Sequence, residues 1–133
     1  MRVVLDTNVL ISALISRSYP SKVLEAIFSD QEIELCLSEE IFTEYTEVLA
    51  RPKFSKFKEF YISANFVLQQ LSISAKFFTP NRSIDILEDK SDNKFLELSL
   101  DCKADYLITG NFHDFNITQF RKLKFSHQKN FIC

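Results

Sequence analysis

Short apolar runs alternate along the chain with longer stretches whose apolar residues recur at helical spacing. Val3, Val4 and Leu5 form a short apolar run, the pattern of a strand buried on both faces. Asp6 ends that run, and after Thr7 the apolar pattern resumes as a helix predicted from about Asn8 to residue 15. A polar loop over 16–19 leads to a second helix, with Pro20 suited to its first turn and an end near Phe28. Ile33 to Leu37 reads as a second strand. Ser38 is placed to cap a helix over 39–50, although Ile41 stands where a full capping box wants Glu. Glu39 and Glu40 favour the positive end of that helix, and Pro52 stops it. Its apolar stripe is Ile41, Phe42, Tyr45, Val48 and Leu49. A fourth helix is predicted over 55–72, a short strand over 75–79, and a loop over 81–90. Ser91 caps a fifth helix that runs to about Lys103, and 105–109 is another short buried strand with Gly110 as its turn. The tail holds a weak helix near 118–121 and a short strand near 124–125.

Strands that alternate with helices imply a mostly parallel sheet covered on both faces. The 133 residues fit a single domain over 1–133, with no repeat, low-complexity tract or linker. A chain of that size buries roughly two-thirds of its unfolded surface, and fourteen Phe make the core bulky. The net charge of −2 gives no general pull toward nucleic acid or anionic membranes, so any nucleic-acid contact needs a local basic patch. Cys36, Cys102 and Cys133 lack C-x-x-C spacing and are odd in number, which argues against a disulfide scaffold or a zinc site. They read as inert thiols in a reducing cytoplasm. Asp6 interrupts the first apolar run too early for a signal peptide, and no run approaches the ~20 residues that cross a bilayer. Gly110 is the one glycine, which excludes glycine-rich phosphate loops.

Any phosphate chemistry must therefore rest on something other than a glycine cradle. Asp6 falls where a buried strand stops, at the rim where open α/β sheets bind ligands. It equally suits the cap of the following helix, and the two readings stand side by side. Glu44 lies at the edge of the apolar stripe of the third helix, one turn from Ile41 and Val48, whereas Glu39 and Glu47 lie outside it. A partly buried carboxylate there needs a partner or an ion, and a solvated flanking Glu is the plainer alternative. Asp92 opens the fifth helix, where it would also offset the helix dipole. Asn111 follows the strand over 105–109 at the same rim, with Asp114 three residues on. Acids gathered at one rim repel by about 4 kcal/mol per close pair at an effective dielectric of 20, so such a cluster needs a cation. Hard oxygen donors without His or Cys point to Mg²⁺ or Mn²⁺.

Four stretches then carry a resemblance: L-D-T-N-V-L at 5–10, E-x-x-x-V-L-x-R-P-K-F ending at Phe54, D-x-S-D-N-K-F-L-E at 89–97 and A-D-Y-L-I-T-G-N at 104–111. Together they resemble PIN-domain nucleases, most closely the bacterial VapC-like group classed as toxins of toxin–antitoxin systems. The resemblance implies a Rossmann-like three-layer α/β/α sandwich with a mostly parallel five-stranded sheet in the order 3-2-1-4-5. It implies a Mg²⁺- or Mn²⁺-dependent endoribonuclease that leaves a 5′-phosphate and a 3′-hydroxyl, with a small antitoxin protein and a homodimer as expected assemblies. By position, Asp6, Glu44 and Asp92 match the family's first three acids. The fourth place is Asn111 here, an amide that can coordinate but adds no charge; Asp114 is the alternative donor. Thr7, Asn8 and Thr109 match the polar residues that surround the acids.

Arg51, Lys53, Lys56 and Lys58, interleaved with Phe54 and Phe57, form one candidate RNA-binding cluster. Arg121, Lys122, Lys124 and Lys129 form another, and solvated surface charge explains either equally simply. His113 and His127 suit loop or solvent-facing roles. An aspartyl-phosphate phosphatase would want a second Asp two residues after Asp6, where Asn8 stands. The rival from another class is a catalytically weakened PIN module that binds RNA or protein, which the Asn111 departure keeps open.

Overall fold

Val3, Val4 and Leu5 are sealed from solvent on both faces of the sheet, as an apolar run without alternation requires. They belong to β1 (Arg2–Leu5), the strand about which a computed structural model of the chain is arranged. The structure describes residues 1–15, 19–79, 93–109, 119–120 and 123–127. Along the chain follow α1 (Thr7–Ile15), α2 (Tyr19–Ser29), β2 (Glu34–Leu37), α3 (Glu39–Leu49), a 3₁₀ helix (Pro52–Lys56), α4 (Phe60–Ser74) and β3 (Lys76–Phe77). After them come α5 (Asn93–Asp101), β4 (Tyr106–Thr109), β5 (Gln119–Phe120) and β6 (Leu123–His127).

The sheet runs in the order β3-β2-β1-β4-β6-β5. Parallel pairing joins β1 to β2 and β4, β2 to β3, and β4 to β6; among the described strands only β5 lies antiparallel, against β6. The α/β sandwich and the predicted order are therefore present, with β6 in the fifth place. Three expectations are corrected. The described sheet has six strands rather than five, and Gln119–Phe120 is an edge strand where a weak helix was expected. The fourth helix also starts later than predicted. Pro52 fixes the first residue of a 3₁₀ turn, and bonds from Phe54 N to Arg51 O and from Phe57 N to Phe54 O keep the spacing tight. Glu59 then takes a left-handed conformation (φ 62°) before α4 begins.

The core is continuous from the strands into Val9 and Leu10 of α1, Ile41, Tyr45 and Leu49 of α3, Ala64 and Leu71 of α4, and Phe95, Leu96 and Leu98 of α5. Phe54 of the 3₁₀ helix stacks on Phe60 at the start of α4, ring centroids 4.6 Å apart. Among the described residues, no helix is long and apolar enough to cross a membrane. The predicted loop over 81–90 and the Gly110 turn lie outside the described residues.

Candidate functional site

Because β1, β2 and β4 are parallel, their carboxyl ends reach one rim, and Asp6, Ser38 and Thr109 stand there together. Asp6 continues the β1–β4 ladder by one bond, its N–H donating to Ile108 O at 3.0 Å. Its own carbonyl then accepts from Val9 N and Leu10 N, which makes it the residue that starts α1. The side chain is 3% exposed and both oxygens are engaged. Oδ1 accepts from Asn8 N at 3.3 Å, a helix-capping bond, and Oδ2 accepts from the Thr109 hydroxyl at 2.8 Å. Capping and the rim position are thus one geometry: the cap bond aims one oxygen into α1 and the threonine of β4 fixes the other.

Glu44 reaches the same rim from α3. Ser38 Oγ accepts from Ile41 N at 3.2 Å and begins that helix, as its sequence position suggested. Tyr45 locks it in rotation: buried in the core, it donates its hydroxyl to Leu5 O at 2.5 Å, one residue before Asp6. That contact turns the adjacent Glu44 toward α1, where the Thr7 hydroxyl donates to Glu44 Oε2. Burial raises the Tyr45 phenol well above its ordinary pKa, and the negative charges of Asp6 and then Glu44 add to the rise. A single phenol therefore feels both carboxylates. Glu39 and Glu47 are exposed, as the stripe predicted.

The second Glu44 oxygen is taken by a residue that the pattern of apolar and acidic positions did not single out. Lys94 Nζ, from the first turn of α5, lies 2.5 Å from Glu44 Oε1. Lys94 was visible only as a letter within D-N-K-F, and nothing in the spacing of α3 and α5 shows that the two helices meet here. Two open clefts, of about 390 and about 510 Å³, share Glu39, Glu40 and Lys94 in their walls. The larger one also carries Glu44 and Arg51.

Of the expected site residues, the structure gathers Asp6, Thr7, Glu44 and Thr109 at one rim, with Asn8 exposed beside them. Asp92, Asn111 and Asp114 lie outside the described residues, and among the described residues no group of three His, Cys, Asp or Glu side chains is placed to hold a metal ion. Of the basic cluster, Arg51 lines the cleft, and Lys53, Lys56 and Lys58 are exposed. Lys53 and Lys56 set their ammonium groups 5.3 and 5.4 Å from the ring centres of Phe54 and Phe57. The side chains of the second cluster lie outside the described residues.

Comparison with known proteins bears on the family of the chain. An uncharacterized protein of Methanocaldococcus jannaschii is 32% identical over 112 residues, which cover 84% of this chain and 71% of that protein. A family model, the PIN domain, matches residues 2–113, a span that contains the rim, α3 with Glu44, and α5 with Lys94. PIN domains have a nuclease-type fold and generally use divalent metal ions. With the sheet order, the acid-bearing rim and a match over most of its length in agreement, the chain belongs to the PIN domain family.

Proposed function

We propose that the chain is a metal-dependent endoribonuclease whose centre is the rim of β1 and β4. The observation that supports this best is the fixed presentation of Asp6: a buried carboxylate held from one side by Asn8 N and from the other by Thr109, at the mouth of the sheet. The donors suit a hard cation. Asp6 and Glu44 offer carboxylate oxygens, Thr7 and Thr109 offer hydroxyls, and a positive group already sits on Glu44. Asp6, Glu44 and Asp92 would hold Mg²⁺ or Mn²⁺, with Asn111 or Asp114 as a further oxygen donor. A bound ion supplies Lewis acidity, which lowers the pKa of water and offsets charge on a phosphate. The protein's part is to keep the carboxylates oriented through Thr109, Thr7 and Tyr45, and to bring phosphates in along Arg51. No side-chain nucleophile is required. The RNA substrate, a role as a toxin, a small antitoxin partner and the pairing of two copies rest on the family resemblance. A row of exposed apolar residues on α4, Ile62, Phe66 and Ile73, is compatible with a protein partner.

Asp6→Asn should reduce Mg²⁺- or Mn²⁺-dependent RNA cleavage by at least a hundredfold while leaving the thermal melt nearly in place, because Asn keeps the capping oxygen. Full activity in the folded variant would remove Asp6 from the chemistry. One observation favours the second reading, a PIN module without catalysis: Lys94 already offsets the charge of Glu44. Calorimetry with Mn²⁺ separates the two readings, since only a working centre binds the ion.

A further inference from the structure

Lys94 is a cation inside the cluster of groups that would hold another cation. Its ammonium lies 2.5 Å from Glu44 Oε1, and the two side chains retain only 16% and 25% exposure. The ammonium also lies over the Phe95 ring, whose centre is 5.4 Å from Nζ. Thr7 holds the other Glu44 oxygen, so the carboxylate is bracketed by one hydroxyl and one full charge. A divalent ion that ligates Glu44 must share or displace that charge. The displaced ammonium has somewhere to go. The adjoining cleft is walled by Lys94 together with Glu40 and Glu97, and Glu97 lies three residues on in the same helix, within reach at helical spacing.

We infer that Lys94 is a built-in counter-cation for Glu44 that competes with the divalent ion and sets the metal concentration at which the centre loads. The inference rests on the nuclease reading above and adds a residue that tunes it. Without metal, the ammonium relieves the repulsion between Glu44 and Asp6 and holds the rim in order. With metal, it leaves Glu44 for the adjoining cleft.

The test is calorimetry of Mn²⁺ binding to the whole chain without RNA, for the wild type, Lys94→Met and Lys94→Arg. Removing the positive charge should tighten Mn²⁺ binding roughly tenfold, whereas Lys94→Arg should stay within about twofold of wild type. The gap between wild type and Lys94→Met should close in a Glu44→Gln background, since the competition acts through that carboxylate. In cleavage assays the Mg²⁺ concentration for half-maximal rate should fall in Lys94→Met. A thermal melt checks folding, and Lys94→Gln serves if the Met variant does not fold. Equal Mn²⁺ affinity in the wild type and the charge-free variant would overturn the role of Lys94 and leave the nuclease reading standing. Failure of both forms to bind Mn²⁺ would overturn the metal-dependent reading and this inference with it.

Discussion

Tyr45 shows how one side chain couples the core to the rim. Its ring fills the space under α3, and its hydroxyl answers a carbonyl at the end of β1. The stripe Ile41, Phe42, Tyr45, Val48 and Leu49 was readable from spacing, and so was Glu44 at its edge. The bond from the phenol to Leu5 was not, because periodicity reports that a residue is buried and says nothing of where its polar tip goes. Tyr45→Phe keeps the ring and removes the donor, and should cost about 1–2 kcal/mol in denaturant unfolding. The same variant has a pH signature. The unfolded phenol ionises near pH 10, and the folded one ionises well above that. Below about pH 10 both forms are protonated and the shift contributes no slope. Above it the unfolded state releases a proton that the folded state keeps, so stability falls as pH rises, by up to about 1.4 kcal/mol per unit. Tyr45→Phe should lack that part of the alkaline slope, and unfolding curves taken from pH 8 to 11 would show it. Identical slopes would mean that the buried phenol is not what titrates.

At the scale of elements, the end of α5 carries a testable strain. Ala104 N donates to Ser99 O at 2.9 Å and Lys103 N donates to Leu100 O at 3.3 Å, the paired bonds of a Schellman ending. That ending puts Lys103 in the left-handed region, φ 56°, where a side chain is costly and glycine is at ease. Lys103→Gly should raise stability by about 1 kcal/mol, visible as a higher midpoint in urea with unchanged cleavage. No gain would mean that the lysine side chain makes contacts worth as much as the strain. The ending positions more than itself. Arg2 donates to Cys102 O at 2.7 Å and pairs with Glu34 at 2.9 Å, which ties the turn to β1 and β2. Elements with long periodic patterns were legible within a residue or two, as α1 and α3 show. The break over 57–59 was not, because Phe57 and Phe60 fit a helical stripe as well as they fit a 3₁₀ turn and a new helix. A two-residue edge strand such as β5 is too short for any period to show.

For the molecule as a whole, alternation of buried runs with amphipathic stretches made the layered fold legible, and a carboxylate after the first run marked the rim. The meeting of Lys94 with Glu44 was not legible, since it depends on how α5 lies against α3. Charge distribution raises the remaining question. With 16 basic and 18 acidic side chains the molecule does not attract RNA by its net charge, and the rim itself is acidic. On the proposed nuclease reading, attraction of RNA must therefore be local. The 3₁₀ segment meets that need: Arg51 forms part of the same cleft wall as Glu44 and Lys94, and Lys53 and Lys56 stand exposed just beyond it. Phe54 is fixed in the core, so the ammonium held over its ring is presented at a defined place rather than on a loose chain. Each such lysine that meets a phosphate of single-stranded RNA releases a counterion, and the binding slope against log salt changes by about 0.7 per contact. Replacing Lys53 and Lys56 by Glu should therefore weaken RNA binding and flatten that slope by roughly 1.4. Turnover at saturating RNA should stay within about twofold, because among the described residues Lys53 and Lys56 lie against Phe54 and Phe57 rather than against Asp6 or Glu44. Filter binding of a single-stranded RNA from 50 to 300 mM salt, alongside cleavage at saturation, measures both. An unchanged slope would reduce the cluster to solvated surface charge, and a collapse of turnover with an unchanged slope would move these lysines from guiding RNA to shaping the centre itself.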